Sequence, residues 1–302
     1  MNILGQYKNG NYNVTVFDDG TKIRENDMEF FEADFPESMD LKITNCCDMG
    51  CPMCHEDSKP DGKHGEILNL KFIDSLQPYT EIAIGGGNPL AHPDILEFLY
   101  RLREHKLIAN MTVNQVHFMQ NRELLMEMTR QHLIYGLGIS LMNADPEFVN
   151  AVKKFPNAVI HVINGMITVK ELERLACNRL KVLILGYKDF RRGAKYHEKV
   201  GAHVDERMRE LYDVLPEVIG DGWFQTVSFD NLAISQLNVK RLMTDAEWQE
   251  FYMGDDGLEG NLTSASMYVD AVRGEFAKNS CSTERYAMTE NIQEMFQFLK
   301  SL

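Results

Sequence analysis

The sequence predicts an α/β fold built from parallel βα units, and three observations predict it. Short runs rich in β-branched and apolar residues alternate with longer stretches of helical periodicity. The starts of these runs recur at roughly 23 to 40 residues, the spacing of strands joined by helical crossovers in one parallel sheet. Proline stands at two helix starts, Pro93 and Pro146, where its missing amide proton costs nothing. Six such units imply an open or partly closed parallel barrel with functional groups at the C-terminal ends of its strands. A doubly wound sheet satisfies the same periodicity.

The first 40 residues read as a hairpin and linker, because residues 11–24 alternate around Asp19-Gly20, a strong short hairpin signal. The core spans 41–194, with strands expected at 41–45, 81–84, 107–113, 134–140, 158–163 and 181–185. Helices are expected at 94–105, where Ile95, Leu96, Leu99 and Leu102 supply an apolar stripe, and at 122–131, 146–154 and 169–177. From residue 195 the texture changes. A long helix (195–215) leads to a strand-like 223–229 and a short helix (231–237), then a loose acidic stretch, Gly254-Asp255-Asp256-Gly257. A second hairpin over 267–280 turns near Arg273-Gly274, and a helix over 289–302 closes the chain. Residues 195–302 are expected to form a small α+β cap packing on the barrel.

The 302 residues suit one large domain or two small ones. The excess of 45 Asp+Glu over 31 Lys+Arg gives a net charge of -14, which repels phosphate polyanions and argues against nucleic acid as a partner. No run of about 18 apolar residues spans a membrane. The first residues lack both the basic start and the apolar stretch of a secretory signal, so a cytoplasmic location is expected. Thiols stay reduced there, and the six cysteines read as ligands, reactive groups or core residues, not as a disulfide framework. The 17 methionines are scattered and read as packing.

The chemistry concentrates in residues 43–58, ITNCCDMGCPMCHEDS, directly after the first barrel strand. Cys47, Cys51 and Cys54 stand in C-x3-C-x2-C spacing. Three thiolates so close on one loop can grip one face of a [4Fe-4S] cube and leave its fourth iron without a protein ligand. The competing reading is zinc, completed by His55 or His64, although a structural zinc site usually pairs two C-x2-C elements and only one is present. Cys46 is assigned to the end of the buried strand.

This motif in this setting resembles the radical S-adenosylmethionine (SAM) superfamily over approximately residues 41 to 190. The resemblance selects the partial (β/α)6 barrel over the doubly wound sheet. It implies one [4Fe-4S] cluster whose open iron is chelated by SAM, and an electron donor such as flavodoxin or ferredoxin. It also implies reductive cleavage of SAM to methionine and a 5′-deoxyadenosyl radical that abstracts hydrogen from an unidentified substrate, a small molecule, nucleotide or peptide. Family members often carry an aromatic residue before the third cysteine, near the adenine; Met53 stands there, a soft side chain able to pack on a ring.

The run Gly85-Gly86-Gly87-Asn88-Pro89 ends the second strand and resembles the family's GGE-P motif, whose backbone receives the SAM ammonium group. Here Asn88 replaces the acid. Asn114 and Ser140 end the third and fourth strands, either as helix caps or, as the resemblance implies, as contacts to the SAM carboxylate or ribose. Asn164 follows the fifth strand and could be presented to ribose or adenine; His161 within that strand reads as a core or outer-face residue. His55 is placed near SAM. Arg191 or Arg192, after the sixth strand, offers a fork for a carboxylate. The tail holds one cysteine, Cys281, too few for a second cluster. It is read as a buried structural residue or as a hydrogen donor to a product radical, and Cys177 is assigned to the core. Two rivals share parts of the evidence: an activating enzyme placing a radical on a partner protein, and a zinc-stabilised binding protein.

Overall fold

The computed structural model describes residues 2–28, 30–251 and 265–302. The acidic stretch 254–257 lies outside the described residues. The N-terminus folds as an antiparallel meander, β1 (Ile3–Asn9), β2 (Tyr12–Phe17) and β3 (Lys22–Glu25), in that order. The expected turn at Asp19-Gly20 joins β2 to β3, with Gly20 at φ +91°. The unforeseen β1 is added by Gly10, at φ +56°, where a Cβ would lie 1.7 Å from the Glu32 carbonyl oxygen.

The barrel starts with β4 (Ser38–Thr44), and β5 (Glu81–Gly86) follows the long cysteine-bearing segment. That segment holds only two 3-10 turns, Ile67–Asn69 and Lys71–Ser75, in place of a crossover helix. Next come α1 (Ile95–Glu104), β6 (Ile108–Asn114), α2 (Gln115–Gln120), α3 (Arg122–Arg130), β7 (Gly136–Ser140), α4 (Pro146–Val152), β8 (Ala158–Ile163), α5 (Val169–Leu175) and β9 (Lys181–Leu185). In α1 the residues Ile95, Phe98, Leu99 and Leu102 bury one helical face. A capping box between Thr168 and Glu171 starts α5, and Asp145 with Pro146 starts α4. The long α6 (Arg192–Gly220) is interrupted at Val200, whose φ of -135° is not helical, beside Gly201. The chain ends with β10 (Thr226–Phe229), α7 (Asn231–Leu237), α8 (Asp245–Phe251), β11 (Ser266–Asp270), β12 (Glu275–Ala277), β13 (Tyr286–Ala287) and α9 (Ile292–Lys300). Among the described residues no helix is long and apolar enough to cross a membrane.

The main sheet runs β10-β9-β8-β7-β6-β5-β4-β11-β12-β13. Every pairing from β10 to β11 is parallel, and β12 and β13 are antiparallel. Both flanks of the six expected strands therefore come from beyond residue 195: β10 lies beside β9 and β11 beside β4. The C-terminal third extends the barrel sheet as well as packing on it. Asp40 on β4 and Asp230 after β10, six strands apart, act on each other electrostatically, so the sheet curls into a partial barrel. The outward faces, Met39, Leu41 and Ile43 on β4 and Leu137 and Ile139 on β7, are buried against the helices. By alternation, Asp40, Lys42, Ala83, Gly85, Asn110, Thr112, Gly136 and His161 face the lumen.

Candidate metal and cofactor site

The cysteine loop is held to the strand ends by backbone bonds. Cys46 N–H donates to Thr44 Oγ1 at 2.9 Å, and Cys47 N–H to the Lys59 carbonyl at 2.8 Å, so the loop doubles back on residues 59–64. From the other side, Gly87 and Asn88 N–H donate to the Thr44 and Cys46 carbonyls, each at 2.7 Å. Glycines make this three-layer approach possible. A Cβ on Gly62 would lie 2.0 Å from the Asn45 carbonyl oxygen, and one on Gly87 would lie 2.3 Å from that of Cys46.

Cys47, Cys51 and Cys54 are free and half-buried, and Cys54 N–H closes a turn onto the Cys51 carbonyl at 3.2 Å. Burial pushes the Cys47 and Cys51 thiols up, and Cys54 adds to both shifts, so the three sulfurs lie within each other's fields. Three unpaired thiols on one short loop are a donor set that fits a cluster face. Among the described residues no three His, Cys, Asp or Glu side chains converge as ligands of a single ion. The groups named for zinc have other partners. His64 Nδ1 meets Thr44 Oγ1 at 2.9 Å and its ring packs edge-on against His92, while His55 Nε2 meets Glu56 Oε1 at 3.3 Å. Cys46, half-buried at the strand end, turns its Sγ to the Pro60 carbonyl at 3.3 Å.

Charged side chains clasp the loop from three sides. On β4, the 2 % exposed Lys42 Nζ lies 2.6 Å from Glu56 and 3.2 Å from Asp270. At the start of α6, Arg191 donates to the His55 carbonyl at 2.9 Å and meets Glu56 at 3.4 Å. Arg192 donates to the Ser58 carbonyl at 2.5 Å and pairs with Asp57 at 3.2 Å. Both arginines, expected to offer a fork to a ligand carboxylate, are engaged with the cysteine loop. From α2, the buried His117 meets Asp48, between Cys47 and Cys51, at 2.7 Å and holds its carboxyl low. Burial opposes ionisation of Glu56, but the bond from His55 and the charges of His55 and Lys42 hold its carboxyl far below the usual range. Burial and Lys188 push His55 down, against the opposing pull of Glu56.

The remaining candidates sit around the same mouth. A Cβ on Gly85 would meet open space, while Gly86, at φ +111°, packs on Thr44. Asn88 caps the 3-10 turn Pro89–Ala91 by accepting from Leu90 N–H at 3.1 Å, and Asn114 caps α2 by accepting from Val116 N–H at 2.9 Å. Ser140, half-buried, pairs in register with His161. Asn164 is fully buried; its Nδ2 donates to Gln236 Oε1 at 3.1 Å and its Oδ1 has no partner. Met53 is half-buried, its carbonyl 3.7 Å from the Cβ position of Gly193. Cys281 and Cys177 are exposed, which corrects their assignment to buried positions. Cys281 adjoins Ser280, whose hydroxyl accepts from Lys188 at 2.9 Å. His161 faces the lumen, and burial pushes it down to about 4. Sequence reasoning passed over Asp40, Lys42, Glu56, Asp48, His117 and Gln236. The alternation in residues 38–44 was the signal for the first two.

No family model matches the chain. It is 25 % identical over 155 residues to a probable GTP 3′,8-cyclase of Methanocaldococcus jannaschii, covering 49 % of each protein. It is 25 % identical over 130 residues to the probable GTP 3′,8-cyclase of Pyrococcus horikoshii, covering 42 % of this chain and 40 % of that one. The matches thus span about half or less of these relatives' lengths. Among solved structures, Streptococcus suis SuiB bound to S-adenosylmethionine superposes with a TM-score of 0.55 at 13 % identity, over 85 % of this chain and 64 % of SuiB. SuiB bound to its precursor peptide SuiA gives 0.52 at 14 % identity, over 83 % and 61 %. The chain thus shares a segment with two probable GTP 3′,8-cyclases and its fold with SuiB, and these likenesses, with the C-x3-C-x2-C loop at the end of β4, support the resemblance to the radical SAM superfamily.

Proposed function

We propose that the chain is an enzyme that holds one [4Fe-4S] cluster on Cys47, Cys51 and Cys54 and cleaves SAM reductively. The observation that carries this reading is the set of three free, mutually interacting thiols on one loop at the C-terminal end of β4. When bound, the cluster supplies an electron from a donor such as flavodoxin or ferredoxin to SAM, giving the 5′-deoxyadenosyl radical that takes hydrogen from substrate. The chain's part is to bind and orient. Lys42, Arg191, Arg192 and His117 fix the loop, and the ends of β5 to β8, with Gly85 to Asn88, Asn114, Ser140 and Asn164, form the rim on which SAM would lie. Met53 and His55 border the same rim. The substrate is a small molecule, a nucleotide or a peptide; the cyclase name of the curated relatives and the peptide bound to SuiB support the latter two classes.

Anaerobic reconstitution is expected to load about four irons and four sulfides per chain. With SAM and a reductant, the loaded chain should form 5′-deoxyadenosine. Changing Cys47, Cys51 and Cys54 together to alanine should abolish both. Wild-type iron retention in that variant, or protein purified without oxygen that carries zinc and no sulfide, would overturn the assignment.

A further inference from the structure

We propose that Thr112 and His161 form a hydrogen-bonding subsite in the barrel lumen that receives a hydroxyl group of the substrate. The inference deepens the enzymatic reading by naming the chemistry of the group that enters the lumen, and it rests on that reading.

Glycine brings the two side chains together. Thr112 on β6 pairs in register with Gly138 on β7, and His161 stands on β8, the next strand. A Cβ on Gly138 would lie 2.7 Å from both Thr112 Oγ1 and His161 Nε2. Side chains from β6 and β8 therefore meet across β7 on its lumen face, where any other residue would hold them apart. They flank the same point yet do not bond each other. Among the described residues neither the Thr112 hydroxyl nor the His161 ring has a hydrogen-bond or ion-pair partner. Both residues are half-buried although each has a strand on either side, and their open surface faces the lumen.

The lumen beside them is hollow. Parallel barrels fill this space with bulky branched side chains. Here β5 contributes Ala83, which is exposed, and Gly85, where a Cβ would meet nothing within 4 Å. The pair is also uncharged. Burial alone acts on His161 and holds the ring neutral at pH 7, with one nitrogen donating and the other accepting. The charged side chains gather instead around Tyr268 on β11, where Glu56, Asp270, Arg191 and Arg285 act on its phenol and Lys42 joins both carboxylates. A carboxylate or ammonium entering between Thr112 and His161 would lose its hydration without meeting an opposite charge. A hydroxyl escapes that cost. Its single oxygen donates to one side chain and accepts from the other, and so bridges two groups set about one point.

The test uses the full-length chain, with and without a loaded cluster, and three probes on one ring: cyclopentanol, cyclopentanone and cyclopentylammonium. Ligand-detected NMR titration is expected to show the alcohol binding about tenfold tighter than the other two, the worth of one or two hydrogen bonds. T112V, which removes the hydroxyl and keeps the shape, and H161L should each erase most of that preference. The His161 ring nitrogen resonances, assigned by their loss in H161L, should move with cyclopentanol at pH 7 and stay in place with the ammonium. S-adenosylhomocysteine, added to occupy the cofactor rim, should leave the preference intact, which separates a substrate hydroxyl from the ribose of SAM. Methyl riboside and N-acetylserinamide then identify a sugar or a side chain as its source. Equal binding of the three ring probes, an alcohol preference unchanged in either variant, its loss with S-adenosylhomocysteine, or binding of neither hydroxyl source overturns the subsite. Because binding is read on the cluster-free chain as well, its failure is separate from a failure to load iron or to cleave SAM.

Discussion

Lys42 is the residue on which the cysteine loop leans, and Glu56 makes its burial tolerable. An ammonium at 2 % exposure pays a desolvation cost of several kcal/mol that only close carboxylates offset. E56Q leaves Lys42 with Asp270 alone at 3.2 Å, and urea unfolding at pH 7 is expected to show a loss of about 3 kcal/mol. The folded carboxyl titrates below its unfolded value, so its stabilisation is fully present above the ordinary Glu range and fades as pH falls through the folded value. The gap between wild type and E56Q should therefore close in strong acid; a gap constant from pH 7 to 3 would contradict the ion pair. His161 provides a second, independent titration. Held down to about 4 from an unfolded 6.5, it resists protonation, so wild type should lose up to about 3 kcal/mol relative to H161Q as pH falls from 6.5 to 4. Lys42 and Asp40 were legible in the alternation of residues 38–44, where Met39, Leu41 and Ile43 claim the other face. The Asp48–His117 contact was not, because it joins positions 69 residues apart and only the curl of the sheet brings them together.

The strands were legible because their outward faces carry unbroken apolar residues, and β8 and β9 occupy the expected 158–163 and 181–185. The connection between β4 and β5 was harder to read. It carries no amphipathic period, and its path is set by backbone bonds and by glycines whose neighbours come from other segments. Asn88 and Asn114 show the limit of motif reading: a polar residue ending a strand can serve a ligand or cap a turn, and in the folded chain both side-chain oxygens cap. Gly87 and Gly85 separate close packing from open space. A methyl at Gly87 collides with the Cys46 backbone, so G87A is expected to destabilise the cluster-free chain by about 1 to 3 kcal/mol and to lower iron retention through gel filtration. G85A, whose methyl enters open space, should leave the cluster-free thermal midpoint where it was. Equal midpoints for the two variants would mean that the β5 end does not brace the cysteine loop.

The sequence divides by texture at residues 40 and 194, yet one core runs across both divisions. Tyr12, Val14 and Val16 of the meander, the outward faces of the barrel strands, and Ile292, Met295, Phe296 and Leu299 of α9 belong to a single buried cluster. Polar contacts tie the same parts together. Arg24 grips the buried Glu37 through bonds of 2.6 to 3.0 Å, Lys22 reaches Glu81 at 3.1 Å, and Gln297 and Lys300 donate to the carbonyls of Asp34 and Ala33 at 2.7 Å. With β11 paired to β4, the strand that launches the cysteine loop has neighbours drawn from both the first third and the end of the chain. Composition marks where the chain changes character, but shared burial decides what unfolds together. Urea unfolding of the cluster-free chain is accordingly expected to give coincident transitions by far-UV circular dichroism and by the fluorescence of Trp223 and Trp248. R24A, which leaves Glu37 buried with Tyr12 and Lys22 as its remaining partners, should shift both probes by the same amount, about 3 kcal/mol. A meander that melted first, or a fluorescence curve unmoved by R24A, would show that the divisions in the sequence are also divisions in stability.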